Sequence, residues 1–251
     1  MASGIAYRLV SAYFKVCLIE INNPVAVRRG VSFCEAIFEG EKAVEGMVAR
    51  FISSQDDIYS VWQGGKVPLL IDPEAKVKDL LKPDVLVDAI LAKKNLGTRI
   101  TDASLVIGLG PGFQVGKDAH QVVETNRGHN LGRVILEGKA EENTGIPGPI
   151  AGITTDRVLR APRGGVFSTD KNIGEHIDAG EMIGTVGGSE VRTKIGGVIR
   201  GLIRNGLEVP RGIKLGDVDP RDIREYCYTV SDKARAVAGG VLEGILRHFN
   251  R

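Results

Sequence analysis

The segment Glu124-Thr-Asn-Arg-Gly-His-Asn-Leu-Gly-Arg133 holds two arginines, a histidine and two asparagines within ten positions. The guanidinium is a planar fork of donors, so Arg127 and Arg133, with His129 between them, suit a phosphate or a planar polar ring. The alternative is a polar loop that satisfies itself. A second candidate is Gly108-Leu109-Gly110-Pro111-Gly112, followed by Gly116-Lys117-Asp118. Glycines such as Gly110 and Gly112 let main-chain N–H groups reach an anion, and Lys117 adds charge. A tight turn that closes a strand accounts for the same residues. The stretch is not the nucleotide P-loop, which needs Gly-Lys-Ser/Thr opening a helix.

Glu20 ends a predicted strand, where an acid in a dinucleotide-binding fold accepts hydrogen bonds from ribose hydroxyls. A solvated carboxylate, or a partner for Arg28 or Arg29, explains it equally. Asp88, Lys93, Lys94 and Asn95 follow another strand end and are expected to face the same crevice. Cys227 lies in Glu225-Tyr226-Cys227-Tyr228. A small buried apolar residue is its default reading. The nearby Arg221, Arg224, Lys233 and Arg235 would lower a thiol pKa if close in space, which makes Cys227 the one candidate nucleophile. His120, His129, His176 and His248 form no zinc-type spacing, so no metal site is expected. No Gly-x-Ser-x-Gly supports serine catalysis.

The elements that must hold these residues divide into two styles. The first half reads as α/β. A helix is expected over Ile5–Val10, and a buried strand over Phe14–Ile21. Pro24 opens a helix through Arg28-Arg29 to Phe38. Glu41–Ile52 reads as a hairpin, and strands follow at Val67–Ile71, Asp84–Ile90, Ser104–Leu109, Ala119–Glu124 and Arg133–Leu136. A helix over Val77–Leu81 lies among them. Gly145-Ile-Pro-Gly-Pro149 punctuates the chain. From Ser231 to Phe249 the pattern is helical, with Ser231 as N-cap and Arg247 and His248 at the dipole's negative end.

Between these regions the chain repeats itself. Gly165-Val166, Gly174, Gly180, Gly184 and Val186 recur 32 residues later as Gly197-Val198, Gly206, Gly212, Gly216 and Val218 (206 − 174 = 32). Ile177 and Ile183 recur as Val209 and Leu215. A fixed period marks a duplicated supersecondary unit, and the short alternating runs between glycines are strand signals. Two such halves are expected to clasp into one small barrel or sandwich over about Arg157–Pro220.

Bulk properties limit the partners. The chain has 251 residues, 43% hydrophobic and 25% charged, typical of a globular protein with a real core. A net charge of +2 gives no argument for nucleic acid. No apolar run reaches a membrane span, and no secretory layout opens the chain. Three widely spaced cysteines suit a reducing, cytoplasmic setting.

Four strings carry a family resemblance: Val87-Asp-Ala-Ile-Leu-Ala-Lys-Lys-Asn-Leu-Gly-Thr-Arg99, Ile107-Gly-Leu-Gly-Pro-Gly-Phe113, Glu124–Arg133, and Tyr226-Cys-Tyr-Thr-Val-Ser-Asp-Lys-Ala-Arg235. Over nearly its whole length the chain resembles the YqeB family, accessory proteins associated with selenium-dependent molybdenum hydroxylases. More distantly it resembles the Rossmann domain of XdhC-type maturation proteins. The resemblance implies a bacterial, cytosolic maturation factor that acts on the molybdenum cofactor or its insertion. Family members open with a strand and a Gly-x-Gly-Asp turn before Ala-Ser/Thr-Gly. Here Met1 precedes Ala2-Ser3-Gly4, so the Rossmann-like sheet is expected without its first strand, and Gly4 is a candidate cofactor contact. The duplicated unit resembles a barrel-sandwich hybrid, the fold of biotinyl and lipoyl carriers. Its tip, Gly187-Gly188-Ser189-Glu190, has no lysine, so neither biotin nor lipoate is expected.

The sequence therefore predicts a Rossmann-like domain over 1–150, a barrel-sandwich-hybrid-like β domain over 151–222, and a C-terminal strand and helix over 223–251 that pack on the first. The expected ligand is a phosphorylated pterin (molybdenum cofactor) or a nucleotide-like anion. The candidate contacts are Gly4, Glu20, Asp88, Lys93, Asn95, Gly110, Gly112, Lys117, Arg127, His129 and Arg133. Expected partners are a selenium-dependent molybdenum hydroxylase and further copies of the chain. Two rivals stay open: a nucleotide-dependent enzyme or sulfur/selenium transferase using Cys227, and a docking adaptor that binds no small molecule.

Overall fold

The computed structural model describes residues 1–250. In chain order the elements are α1 (Ala2–Ser11), β1 (Leu18–Glu20), α2 (Ala36–Glu39), β2 (Glu41–Val44), β3 (Met47–Phe51), α3 (Ile58–Gln63), β4 (Val67–Ile71), α4 (Val77–Leu81), β5 (Val85–Asp88), β6 (Leu105–Leu109), β7 (Gln121–Val123), β8 (Val134–Ile135), β9 (Val158–Arg160), β10 (Gly165–Ser168), β11 (His176–Ile177), β12 (Met182–Val186), β13 (Ser189–Arg192), β14 (Gly197–Leu202), β15 (Glu208–Val209), β16 (Lys214–Asp219) and α5 (Asp232–Phe249). The fold is mixed α/β, with parallel and antiparallel sheets and a C-terminal helix. No helix is long and apolar enough to cross a membrane, among the described residues.

The chain forms two compact units: 1–22 with 47–145 and 230–251, and 23–46 with 146–229. The contiguous division at 150 and 222 therefore needs correction. Residues 23–46 cluster with the β-rich unit because Val27 O accepts from Leu202 N and Arg204 pairs with Glu35. These contacts also displace the helix expected after Pro24. Only short 3-10 turns and the four-residue α2 form there.

In the first unit the parallel strands make two sheets rather than the single one expected. β4 lies between β1 and β3, and β6 lies between β5 and β7, with β8 antiparallel at the edge. β1 and β5 are both edge strands. The buried strand expected over 14–21 shrinks to three residues, and its Ile19 stays 40% exposed, since an edge strand has a neighbour on one side only. The core of β5–β7 is more apolar: Leu105, Ile107, Leu109 and Val123 pack with Ile5 and Leu9 of α1 and Val237, Val241 and Ile245 of α5. That stripe on α5 recurs at helical spacing, and Ser231 caps the helix by accepting from Ala234 N at 3.3 Å. α3, unmarked in the sequence reading, buries Ile58 and Val61 against Leu70.

The second unit carries the duplication in its hydrogen-bond register. Gly165 pairs Val209, and 32 residues away Gly197 pairs Ile177. Phe167 pairs Val186 as Ile199 pairs Val218. Each half thus lends a strand to the other's sheet, giving two four-stranded antiparallel sheets around Phe167, Ile177, Ile183, Ile199, Val209, Leu215 and Val218.

Candidate functional site

Parallel strands end at a common edge, and the loops that leave it define the crevice where such sheets bind ligands. In the first unit β5 ends at Asp88 and β6 at Leu109. Asp88 is buried, and its carboxylate accepts from Ile90 N at 3.1 Å and Thr98 Oγ1 at 2.6 Å. Asn95 accepts from Gly97 N and Thr98 N and donates to Thr98 O. These two side chains shape the loop after β5. Leu91 and Lys93 within it take φ of 60° and 63°, left-handed values that cost a residue with a Cβ about 1–2 kcal/mol each. Leu91 is held there by packing on the core under α5.

The loop after β6 meets this one at close quarters. Gly110 has φ +70° and leaves room for the Thr125 hydroxyl, while Gly112, at φ +114°, lies against the Lys94 main chain. Phe113 turns down into a small core with Val122 and Ala140. Above it opens a cleft of about 600 Å³. Lys93, Lys117 and Lys139 reach it from three different loops, and none of their ammonium groups makes a hydrogen bond or ion pair among the described residues. Asp118 and Glu142 are the acids on its wall, and Asp118 also accepts from Gln114 N at 2.9 Å. The Gln114 side chain lines the cleft with its amide unengaged. Such a surface suits an anion joined to a polar body.

Over 246 residues, 98% of its length, the chain is 47% identical to a protein of Escherichia coli (strain K12) described as "Uncharacterized protein YqeB". The chain is similar to YqeB. It spans about half of YqeB, 46% of that protein's length, and the likeness runs across both units. No family model matches. Two solved structures share local likeness. A succinylglutamate desuccinylase/aspartoacylase from Rhodobacter sphaeroides is 25% identical, covering 26% of this chain and 22% of that one at a TM-score of 0.24. The ectoine utilization protein EutE (DoeB) from Ruegeria pomeroyi is 18% identical, covering 34% of this chain and 27% of that one, also at 0.24.

Of the contacts expected from the sequence of this YqeB-like chain, Lys93, Asn95, Gly112 and Lys117 line the cleft, and Asp88 and Gly110 shape its loops. The others do not converge there. Arg127 makes a two-pronged pair with Asp232, at 2.6 and 2.8 Å. Arg133 lines a neighbouring recess of about 620 Å³ with Glu137, Glu243 and Arg247, and Lys139 borders both hollows. His129 is exposed and lines neither. The 124–133 loop mostly satisfies itself: Glu124 accepts from the N–H groups of Thr125, Asn126 and Glu141, and Asn126 and Asn130 donate to Glu141. Its polar density thus builds the loop.

Gly4 also needs correction. A Cβ there would lie 3.1 Å from the Ala234 Cβ and 3.2 Å from Val230, so this residue serves the close approach of α1 to α5. Glu20 accepts from its neighbour Ile21 N, and burial raises its pKa. Cys227 is fully buried, its sulfur 3.6 Å from Ile199 O. Burial raises the thiol's pKa despite the opposing pull of Arg28 and Arg200. A protonated, inaccessible thiol is the opposite of an activated nucleophile.

Sequence reasoning missed Lys139, which lies outside the polar strings singled out there and reaches the cleft from the loop after β8.

Proposed function

We propose that this chain binds a phosphorylated small molecule in the cleft above Gly112 and Phe113, as an accessory protein in the maturation of selenium-dependent molybdenum hydroxylases. In this reading it holds or delivers a phosphorylated molybdenum cofactor or a nucleotide-like anion in the cytoplasm, and the hydroxylase is its partner. One observation carries the binding step: three lysines from separate loops, whose ammonium groups have no partner among the described residues, line one hollow. The maturation role rests on the sequence resemblance to the YqeB family. We read the first unit as Rossmann-like and the second as a barrel-sandwich hybrid.

The cleft residues fit such a ligand. Lys93, Lys117 and Lys139 would hold its phosphate, while Gln114 and Asn143 offer amides to the edge of a polar ring. The buried Cys227 gives no support to sulfur or selenium transfer. Titration of the purified chain with molybdenum cofactor and its nucleotide forms, followed by calorimetry, tests the proposal. Saturable binding that weakens in Lys93→Ala supports it; no heat with any form would sink it.

A further inference from the structure

The cleft and the neighbouring recess share a wall. Ala140, Glu142 and Asn143 line the cleft, Glu141 lines the recess, and Lys139 lines both. The two hollows measure about 600 and about 620 Å³. Each lies within the roughly 300–1,000 Å³ of small-molecule sites.

Most acids of the recess are engaged by the protein itself. Glu124 accepts from the N–H groups of Thr125, Asn126 and Glu141, and Glu141 accepts from the Asn126 and Asn130 amides. Glu243 pairs with Arg247 at 3.3 Å. Two charged groups are left over. The Arg133 guanidinium has a single contact, a donation to Asn130 Oδ1 at 3.3 Å, so most of its fork of donors is open among the described residues. The Glu137 carboxylate makes no hydrogen bond or ion pair among the described residues. Between them in sequence stand Val134, Ile135 and Leu136, which also line the recess, and Leu136 is 45% exposed. An open guanidinium fork, an open carboxylate and an apolar surface suit a planar heterocycle. The fork meets its acceptor edge, the carboxylate meets its N–H edge, and the ring face lies on the leucine.

We propose that the recess is a second subsite and that one ligand spans both hollows across Lys139. Its class is a dinucleotide: one polar ring over Gln114 and Asn143, a phosphate bridge on the lysines, and a second heterocycle held by Arg133 and Glu137. Lys139, common to both hollows, then serves the phosphates at the middle of the ligand. The assignment rests on the binding reading of the cleft and adds the ligand's second half.

Calorimetry on the full chain with three probes tests it: inorganic pyrophosphate, guanosine monophosphate, and two guanosines joined through a pyrophosphate. The joined molecule is expected to bind about tenfold or more tighter than the monophosphate, the gain of a second ring with a charge-assisted contact. Arg133→Gln is expected to remove that gain while changing pyrophosphate affinity by less than about twofold, which separates this role from a folding defect. Lys139→Gln is expected to weaken pyrophosphate and the joined molecule alike. Equal affinity for the joined molecule and the monophosphate overturns the second subsite, and so does an Arg133→Gln loss that is the same for pyrophosphate; in both cases the cleft reading stands. If molybdenum cofactor binds while no guanosine probe does, the spanning ligand is likewise wrong and the cleft reading stands. If neither the probes nor molybdenum cofactor bind, both fall.

Discussion

Gly112 and Lys94 lie so close that a Cβ on Gly112 would stand 2.7 Å from the Lys94 N and Cα atoms. That contact joins the loop after β5 to the loop after β6, and it sets where Lys93 enters the cleft. Gly112→Ala carries two penalties, a positive φ and a clash with main chain. The loss is expected to be about 2–4 kcal/mol of stability. Urea unfolding measures it. A variant as stable as the parent would mean the two loops are not packed as described.

Gly4 is a helix contact, not a ligand contact. Gly4→Val forces α1 away from Ala234 and Val230 and is expected to cost about 1–3 kcal/mol. Anion affinity, measured below the melting transition, is expected to stay within about twofold, since the cleft does not touch α1. Selective loss of affinity with intact stability would restore Gly4 as a cofactor residue.

The cysteines are expected to be unreactive in the native chain. Burial, with the charge of Asp72, pushes the Cys17 thiol up to about 12, and Cys227 is fully enclosed. A disulfide-exchange reagent at pH 8 is expected to modify Cys227 only as the chain unfolds. Cys227→Ser is expected to reduce stability and leave anion binding unchanged. Rapid native labelling of Cys227 would reopen the transferase reading.

His176 is exposed on the second unit, with Nδ1 at 2.9 Å from an Asp222 oxygen. The hydrogen bond and charge of Asp222, helped by Asp178, raise its pKa above 6.5. Its contribution to stability is therefore fully present below the unfolded value and fades as pH rises through the folded one. Imidazole NMR is expected to show a raised midpoint that falls toward the ordinary value in Asp222→Asn. An unchanged midpoint would remove the pair.

The repeat was legible at the residue level. An offset of 32 in glycines and apolar residues became two mirrored pairings, Gly165 with Val209 and Gly197 with Ile177. α5 was legible too, from its stripe of Val237, Val241 and Ile245 and the Ser231 cap. The segment after Pro24 was not, because contacts with Leu202 and Arg204, far along the chain, outweighed local preference.

Among the candidate contacts, the glycine turn and Lys93-Lys94-Asn95 were visible as strand-end loops, and Lys93, Asn95, Pro111 and Gly112 line one cleft. Arg127 misled because its partner, Asp232, is 105 residues away. Lys139, which also lines the cleft, was not among the candidates. Periodicity and turn chemistry are short-range, so the amino-acid order determines strands, helices and the duplication directly. Which charges face one another is a long-range result of how loops stack on a shared core, and only the tertiary structure decides which lysines remain without a partner.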